Sequence, residues 1–240
     1  MSTHCDLRYA VIVPAAGEGR RMGGCRKPFL MLAGRPVIGH VVEALARAPG
    51  CVRIVLALRP DDAADESVRA ELQALGQHVR IVPGGATRQD SVAAGLRGVD
   101  VDVPVVLTHD AARPLVDPDV VRRVAQGALS SGAAVAAVPA AETVKEVGEG
   151  GIVLGTPARD GLWLAHTPQG LRRHLFERAH EAARRDGFAG TDDVQLAERL
   201  GARVIVVEDR YDNIKITTPE DLAIAEAILR WRAGQPAGGA

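Results

Sequence analysis

Short apolar-rich runs alternate along this chain with stretches in which apolar residues recur every three or four positions. The runs fall at residues 9–13, 52–58, 79–82, 103–108, 133–138 and 204–207. Several are apolar on consecutive positions, as suits strands covered on both faces. Between them, Val37, Ile38, Val41, Val42 and Leu45 share one helical face behind Pro36, a residue suited to a helix's first turn. Asp117-Pro118 opens a helix carrying Val120, Val121, Val124 and Leu129, and Thr218-Pro219-Glu220-Asp221 opens the last one. Strand–helix alternation of this kind predicts an open, mostly parallel, twisted α/β sheet of Rossmann-like form with helices on both faces.

One segment breaks the rhythm. Residues 139–162 read as two short strands, TVKEV and GIVLG, around the turn GEG. A two-stranded ribbon is marginal alone, so this β-arm is expected to pack on something, with a second subunit as the natural candidate. The closing AGQPAGGA, residues 233–240, reads as a disordered tail.

Composition narrows the picture. A chain of 240 residues that is 47% hydrophobic and 3% aromatic can bury one large aliphatic core, so residues 1–232 are expected to form a single domain. Its 29 basic and 30 acidic residues balance, which argues against nucleic acid and membrane as partners. Cys5, Cys25 and Cys51 lack metal-ligand spacing and read as reduced thiols. No run approaches the length of a membrane span, and MSTHCDLR has no apolar signal core, so a soluble, cytoplasmic protein is expected.

Positive charge is instead local. The first strand is followed by PAAGEGRRMGGCRKPFL, residues 14–30. Open α/β sheets bind ligands at the carboxyl ends of their strands, and exposed backbone N–H groups in glycine loops suit anions. Arg20, Arg21 and Lys27 add full charges, which points to a polyphosphate. GxxxxGK[ST] is absent, and GxGxxG fails at its third glycine, where Met22 stands. No acidic residue follows the second strand to hold a ribose, and an NADP-type oxidoreductase stays open on Arg59 alone.

Three further polar clusters follow strands at what should be the same edge: PGGATRQDSV at 83–92, THDAARP at 108–114 and YDNIKIT at 211–217. Singly, each has a plain structural reading: Asp110 as a turn cap, Asp212-Asn213 as a turn pair, Lys215 as a solvated side chain. Jointly, two carboxylates and several cations at one edge suit Mg²⁺ on a nucleoside triphosphate.

With AAGEGRRM, Lys27, GGATRQDSV, HDAARP, TPQ at 167–169 and DNIKIT in this order, the chain resembles the 2-C-methyl-D-erythritol 4-phosphate cytidylyltransferase family from about residue 9 to 230. AAGxGxRM is shared by many sugar-phosphate nucleotidyltransferases, whereas HDAARP with DNIK is far more specific. The resemblance implies transfer of CMP from CTP to 2-C-methyl-D-erythritol 4-phosphate, with Mg²⁺ or another divalent cation, in isoprenoid precursor synthesis. It also implies a homodimer formed through the β-arm.

Residue by residue, it implies Arg20, Lys27 and Lys215 as catalytic cations on the phosphates. Ala15, Ala16, Gly17, Gly19, Gly85 and Ser91 would surround the nucleotide, with Asp110 linked to the metal. Arg113, Thr143, Arg159, Thr191 and Asp212 would serve the acceptor, Arg159 reaching across from the other subunit. Thr191 also reads as the N-cap of a helix beginning at Asp192-Asp193. The chain departs from the family's pattern in GGCR before Lys27, in Pro28 and in Ala86. The acceptor phosphate is itself the nucleophile, so His109 is expected to position rather than to act as a base. Three rivals accompany this reading. One is a ribitol-5-phosphate cytidylyltransferase of the same fold. Another is a nucleotide-sugar glycosyltransferase, for which no DxD follows a central strand. The third is a non-catalytic nucleotide-binding regulator, which would not need both lysines and both aspartates.

Overall fold

All six apolar-rich runs become parallel strands. The computed structural model describes residues 7–17 and 27–234, without the Lys27 side chain. In chain order the strands are β1 (Tyr9–Ala15), β2 (Met31–Leu32), β3 (Arg35–Pro36), β4 (Cys51–Leu58), β5 (Val79–Pro83) and β6 (Val105–Thr108). They continue with β7 (Ala133–Pro139), β8 (Glu146–Val147), β9 (Val153–Gly155), β10 (Trp163–Arg172) and β11 (Val204–Glu208). The helices are α1 (Val37–Arg47), α2 (Pro60–Ala64), α3 (Glu66–Gln73), α4 (Arg88–Arg97), α5 (Pro118–Ser131), α6 (Arg173–Asp186), α7 (Asp193–Glu198) and α8 (Pro219–Ala233).

Seven strands form the main sheet in the order β11-β7-β10-β6-β1-β4-β5. Consecutive apolar residues are explained by cover on both faces. Tyr9, Val11 and Val13 of β1 face α1 and α5, among Val41, Val42, Leu45, Val121 and Val124. Ala10 and Ile12 face the opposite layer of α4, α6 and α7, with Val92, Phe176 and Val194. Asp117 caps α5 through the Asp119 N–H, and Thr218 with Asp221 closes a capping box on α8, as their sequence predicts.

The seventh strand has no counterpart in the apolar pattern. β10, WLAHTPQGLR, runs antiparallel between β6 and β7. Its first half is exposed, and Pro168 sits where the register with β7 shifts between Ala165 and Gln169. Proline is tolerated in a sheet at such irregularities, and the alternation that marks a strand is lost there.

Other boundaries move for local reasons. The strand expected from residue 103 begins at Val105, because Pro104 has no N–H to donate to a ladder. Pro36 pairs with Met31 in β3 and forms the N-cap of α1, one residue ahead of its first turn. In the arm, the expected TVKEV and GIVLG shrink to β8 and β9 around a short helical turn at Glu149–Gly151. Val147, Ile152 and Leu154 there are 54%, 67% and 65% exposed. Since β7 and β10 are antiparallel neighbours, the arm is the elaborated tip of one hairpin. Its base is closed by the Ala140 N–H donating to Leu162 O at 2.9 Å. Of the tail expected from 233, Ala233 ends α8 and Gly234 is its C-cap, and residues 235–240 lie outside the described ones. Among the described residues no helix is long and apolar enough to cross a membrane.

Candidate active site

Parallel strands deliver the loops after β1, β5, β6 and β11 to one edge of the sheet. β10 runs the other way and pairs Gln169 with Thr108, the last residue of β6. Thr167 and His166 therefore lie beyond the carboxyl end of β6, among those loops.

The turn after β5 requires glycine by close approach. The Gly84 N–H donates to Leu58 O at 2.6 Å. A Cβ on Gly84 would lie 2.8 Å from the Ala16 Cβ, and one on Gly85 only 2.3 Å from the Asp90 Cβ. Ser91 Oγ accepts the Gly85 N–H at 3.1 Å and donates to Thr87 O at 2.9 Å. Thr87 and Asp90 close a capping box on α4, so the helix's N-terminus points into the cleft in a fixed pose.

Asp110 stands at the centre. Lys215 Nζ lies 2.8 Å from its Oδ2, Arg88 Nε 3.4 Å from Oδ1, and Arg113 Nε 3.6 Å from Oδ2. Burial alone would raise the Asp110 carboxyl, but Lys215, Arg88 and Arg113 outweigh it and hold it far below the usual carboxylate range. Arg88 also reaches the buried Asp193 at 2.8 Å, which accepts from Thr108 Oγ1 at 2.8 Å. Burial works against the charge on Arg88, and these two carboxylates more than restore it.

The three sequence clusters around this point interlock. Thr167 Oγ1 accepts the Asp110 N–H at 3.0 Å and lies 3.1 Å from His109 Nδ1. The Arg113 carbonyl can only accept, so His109 Nε2–H donates to it at 3.0 Å and the neutral ring's Nδ1 accepts from the Thr167 hydroxyl. Burial pushes His109 down to about 4, so it is a neutral strut with both nitrogens engaged. Arg113 Nη1 donates to Asn213 O at 2.6 Å, and Asn213 Nδ2 donates to Thr167 O at 3.0 Å. Gln169 Oε1 accepts the Asp193 and Val194 N–H groups at the start of α7.

Two cavities meet at Arg88, Asp110 and Lys215. One, of about 320 Å³, is lined by Ala15, Ala16, Gly17, Pro28, Gly85, Ala86 and Ser91. The other, of about 210 Å³, is lined by Arg113, Ala165, His166, Thr167, Gln169, Thr191 and Asp192. A neutral, backbone-rich chamber thus adjoins a polar one across a cationic junction.

A family model described as 2-C-methyl-D-erythritol 4-phosphate cytidylyltransferase matches residues 9–231. The chain belongs to that cytidylyltransferase family. The enzyme of that name from Symbiobacterium thermophilum is 45% identical over 240 residues, covering 98% of this chain and 100% of that one. The one from Pelotomaculum thermopropionicum is 44% identical over 232 residues, covering 95% and 97%. Among solved structures, the 4-diphosphocytidyl-2C-methyl-D-erythritol synthase of Anaerococcus prevotii matches with a TM-score of 0.83 at 31% identity, covering 94% of this chain and 97% of that one. The cytidylyltransferase of Thermus thermophilus matches at 0.77 and 36%, covering 93% and 100%.

Of the residues expected in a cytidylyltransferase site, Ala15, Ala16, Gly17, Gly85, Ser91, Asp110 and Lys215 line the first cavity. Arg113 and Thr191 line the second. Gly19, Arg20 and the Lys27 side chain lie outside the described residues. Lys215 is no idle solvated lysine, since Asp110 holds it. Thr191 is not the cap of α7: Asp192 is, accepting the Gln195 N–H at 3.0 Å. Asp212 lines neither cavity. Its carboxylate is gripped by Arg210 at 3.0 Å and Arg232 at 2.8 Å, because its turn faces α8. Thr143 and Arg159 are exposed on the arm, where Arg159 Nη1 donates to Ala141 O at 2.8 Å.

Several residues that build the site carried no individual role in the sequence reading: Arg88 and the pair Thr167 and Gln169, although their motifs PGGATRQDSV and TPQ were noted, Asp193, noted only as a helix start, and His166, which was not noted at all. One signal was available for Arg88. A cation at the first residue of a helix is disfavoured by the helix dipole, so a nearby negative partner is needed to hold it there.

Proposed function

We propose that this chain transfers CMP from CTP to 2-C-methyl-D-erythritol 4-phosphate, giving 4-diphosphocytidyl-2-C-methyl-D-erythritol and pyrophosphate. Family membership carries the reaction. The observation that supports its location is the Lys215–Asp110–Arg88 junction between two cavities. CTP occupies the first cavity, with cytidine against the Gly84-Gly85 turn, and the acceptor occupies the second. Arg20 and Lys27, whose side chains lie outside the described residues, are the further cations proposed for the phosphates.

The acceptor phosphate is mostly a dianion at neutral pH, since its second pKa is near 6. One of its oxygens attacks the α-phosphorus. The bond from that phosphorus to the β-phosphate oxygen breaks, and pyrophosphate leaves. No base is needed, consistent with a buried His109 whose two nitrogens are engaged. The obstacle is repulsion between two anions, and Lys27, Lys215, Arg20 and Arg88 offset it. Among the described residues no cluster of three metal-ligating side chains exists. Asp110 would hold Mg²⁺ beside the nucleotide phosphates. When bound, the ion neutralises charge on the phosphates.

The chain is read as one nucleotidyltransferase domain with an arm at 139–162. The exposed Val147, Ile152 and Leu154 support a homodimer in which Thr143 and Arg159 serve the partner's acceptor site. We read the protein as cytoplasmic.

Pyrophosphate release with Mg²⁺ and CTP tests the reading, comparing 2-C-methyl-D-erythritol 4-phosphate with D-ribitol 5-phosphate. Turnover of the first is expected. Turnover of the second alone would overturn the acceptor while keeping the chemistry.

A further inference from the structure

His166 lines the acceptor cavity, and no assigned role accounts for it. Its Nδ1 lies 2.8 Å from Oδ2 of Asp209, whose side chain is fully buried. Asp209 also accepts the Arg210 N–H at 2.7 Å and Asn213 Nδ2–H at 2.7 Å. Asn213 Nδ2 must be the donor, since its other partner is the carbonyl of Thr167. Donors therefore converge on Asp209, and Nδ1 of His166 carries the hydrogen. The lone pair is fixed on Nε2. Among the described residues Nε2 has no hydrogen-bond partner, yet it is not one of the buried side-chain atoms left without one. It is open to the cavity.

We propose that His166, held in one tautomer by Asp209, is a specificity-determining residue that accepts a hydrogen bond from a hydroxyl of the acceptor. This rests on the reading of the second cavity as the acceptor site. The chemistry favours a hydroxyl over the phosphate. Arg88, Arg113 and Lys215 supply donors for an anion at the junction, whereas a fixed imidazole lone pair suits an O–H. A polyhydroxylated alcohol phosphate offers both groups, and the cavity presents them with separate partners.

Steady-state constants of His166→Leu, His166→Gln and Asp209→Asn test this, with CTP, 2-C-methyl-D-erythritol 4-phosphate and its monodeoxy analogues. Wild-type pyrophosphate release decides the underlying reading by itself. Given that turnover, His166→Leu is expected to raise the acceptor KM roughly three- to tenfold or more while leaving the CTP KM in place. One monodeoxy analogue should lose affinity for the wild type but bind the Leu variant and the wild type alike. An unchanged acceptor KM, or equal loss for both substrates, would overturn the proposal while leaving the reaction standing. Should His166→Leu not fold, the other two variants decide. His166→Gln keeps an acceptor atom at the position. Asp209→Asn replaces the carboxylate oxygen that accepts from both His166 Nδ1 and Asn213 Nδ2 by an amide, which weakens the hold on the Nδ1 hydrogen. The first should stay near wild type and the second should raise the acceptor KM; the reverse order overturns it.

Discussion

Lys215 and Asp110 form a 2.8 Å ion pair where the two cavities of the cleft meet. The lysine is 42% exposed and the aspartate 11%, so the carboxylate anchors a cation that still faces the cleft. Lys215→Ala is expected to cut turnover at least a hundredfold, about 2.7–4 kcal/mol of barrier by analogy with a lost oxyanion-hole donor. Circular dichroism should show an intact fold. Near wild-type turnover in a folded variant would remove Lys215 from the chemistry.

Arg88 joins Asp110 to Asp193, the latter 2% exposed. Arg88→Ala leaves Asp193 with Thr108 and a distant His180 at 3.8 Å. Removing one partner of a buried pair costs about 3 kcal/mol. The melting temperature should fall by several degrees, and turnover should fall with it. A variant that loses only turnover would mean that Arg88 meets substrate without supporting the fold.

Acid should destabilise the protein before ordinary carboxylates protonate. The unfolded chain takes up a proton on His109 near pH 6.5, whereas the folded protein resists until about pH 4. Between those values the unfolded state binds more protons, so stability falls as pH falls, by about 2 kcal/mol at pH 5. Asp110 and Asp193, both lowered in the fold, act in the same direction further down: their contribution is present above the usual carboxylate range and lost as pH drops through the folded values. Urea melts from pH 7.5 to 4.5 should show this slope, and His109→Gln should flatten its upper part.

Gly85→Ala should raise the CTP KM on the order of tenfold or more, because the new Cβ falls 2.3 Å from that of Asp90 and displaces the turn. Acceptor affinity should change less. Equal effects on both substrates would mean that the turn does not read the nucleotide.

The arm offers a separate test. Ile152→Asp with Leu154→Asp should convert a dimer to monomers in sedimentation, since both side chains are about two-thirds exposed on the single chain. Arg159→Ala should weaken acceptor binding far more than CTP binding. Unchanged mass, or equal loss of both substrates, would assign the arm another task.

The parallel strands were legible because burial on both faces writes itself as uninterrupted Val, Ile, Leu and Ala. The cleft was legible in part for the opposite reason: polar residues directly after such runs have few structural excuses. β10 was not, since half of it is exposed and Pro168 interrupts its alternation. With it went His166 and the place of the TPQ motif, because Thr167 and Gln169 reach the cleft only through a strand running backwards between two others. Asp212 shows the converse. It belongs to a telling motif, but only coordinates reveal that Arg210 and Arg232 already hold it.

The hairpin of β7 and β10 has a consequence for how such a protein can diverge. Its stem is locked into the sheet and its base is closed between Ala140 and Leu162. Everything between is a surface insert whose length is free of the core. In the proposed dimer, adding or removing a few residues there would change what one subunit offers its partner's proposed acceptor chamber, and no buried side chain would have to move. New acceptor preferences would arise by editing a loop, while the cleft built from the turns after β1, β5, β6 and β11 is inherited intact.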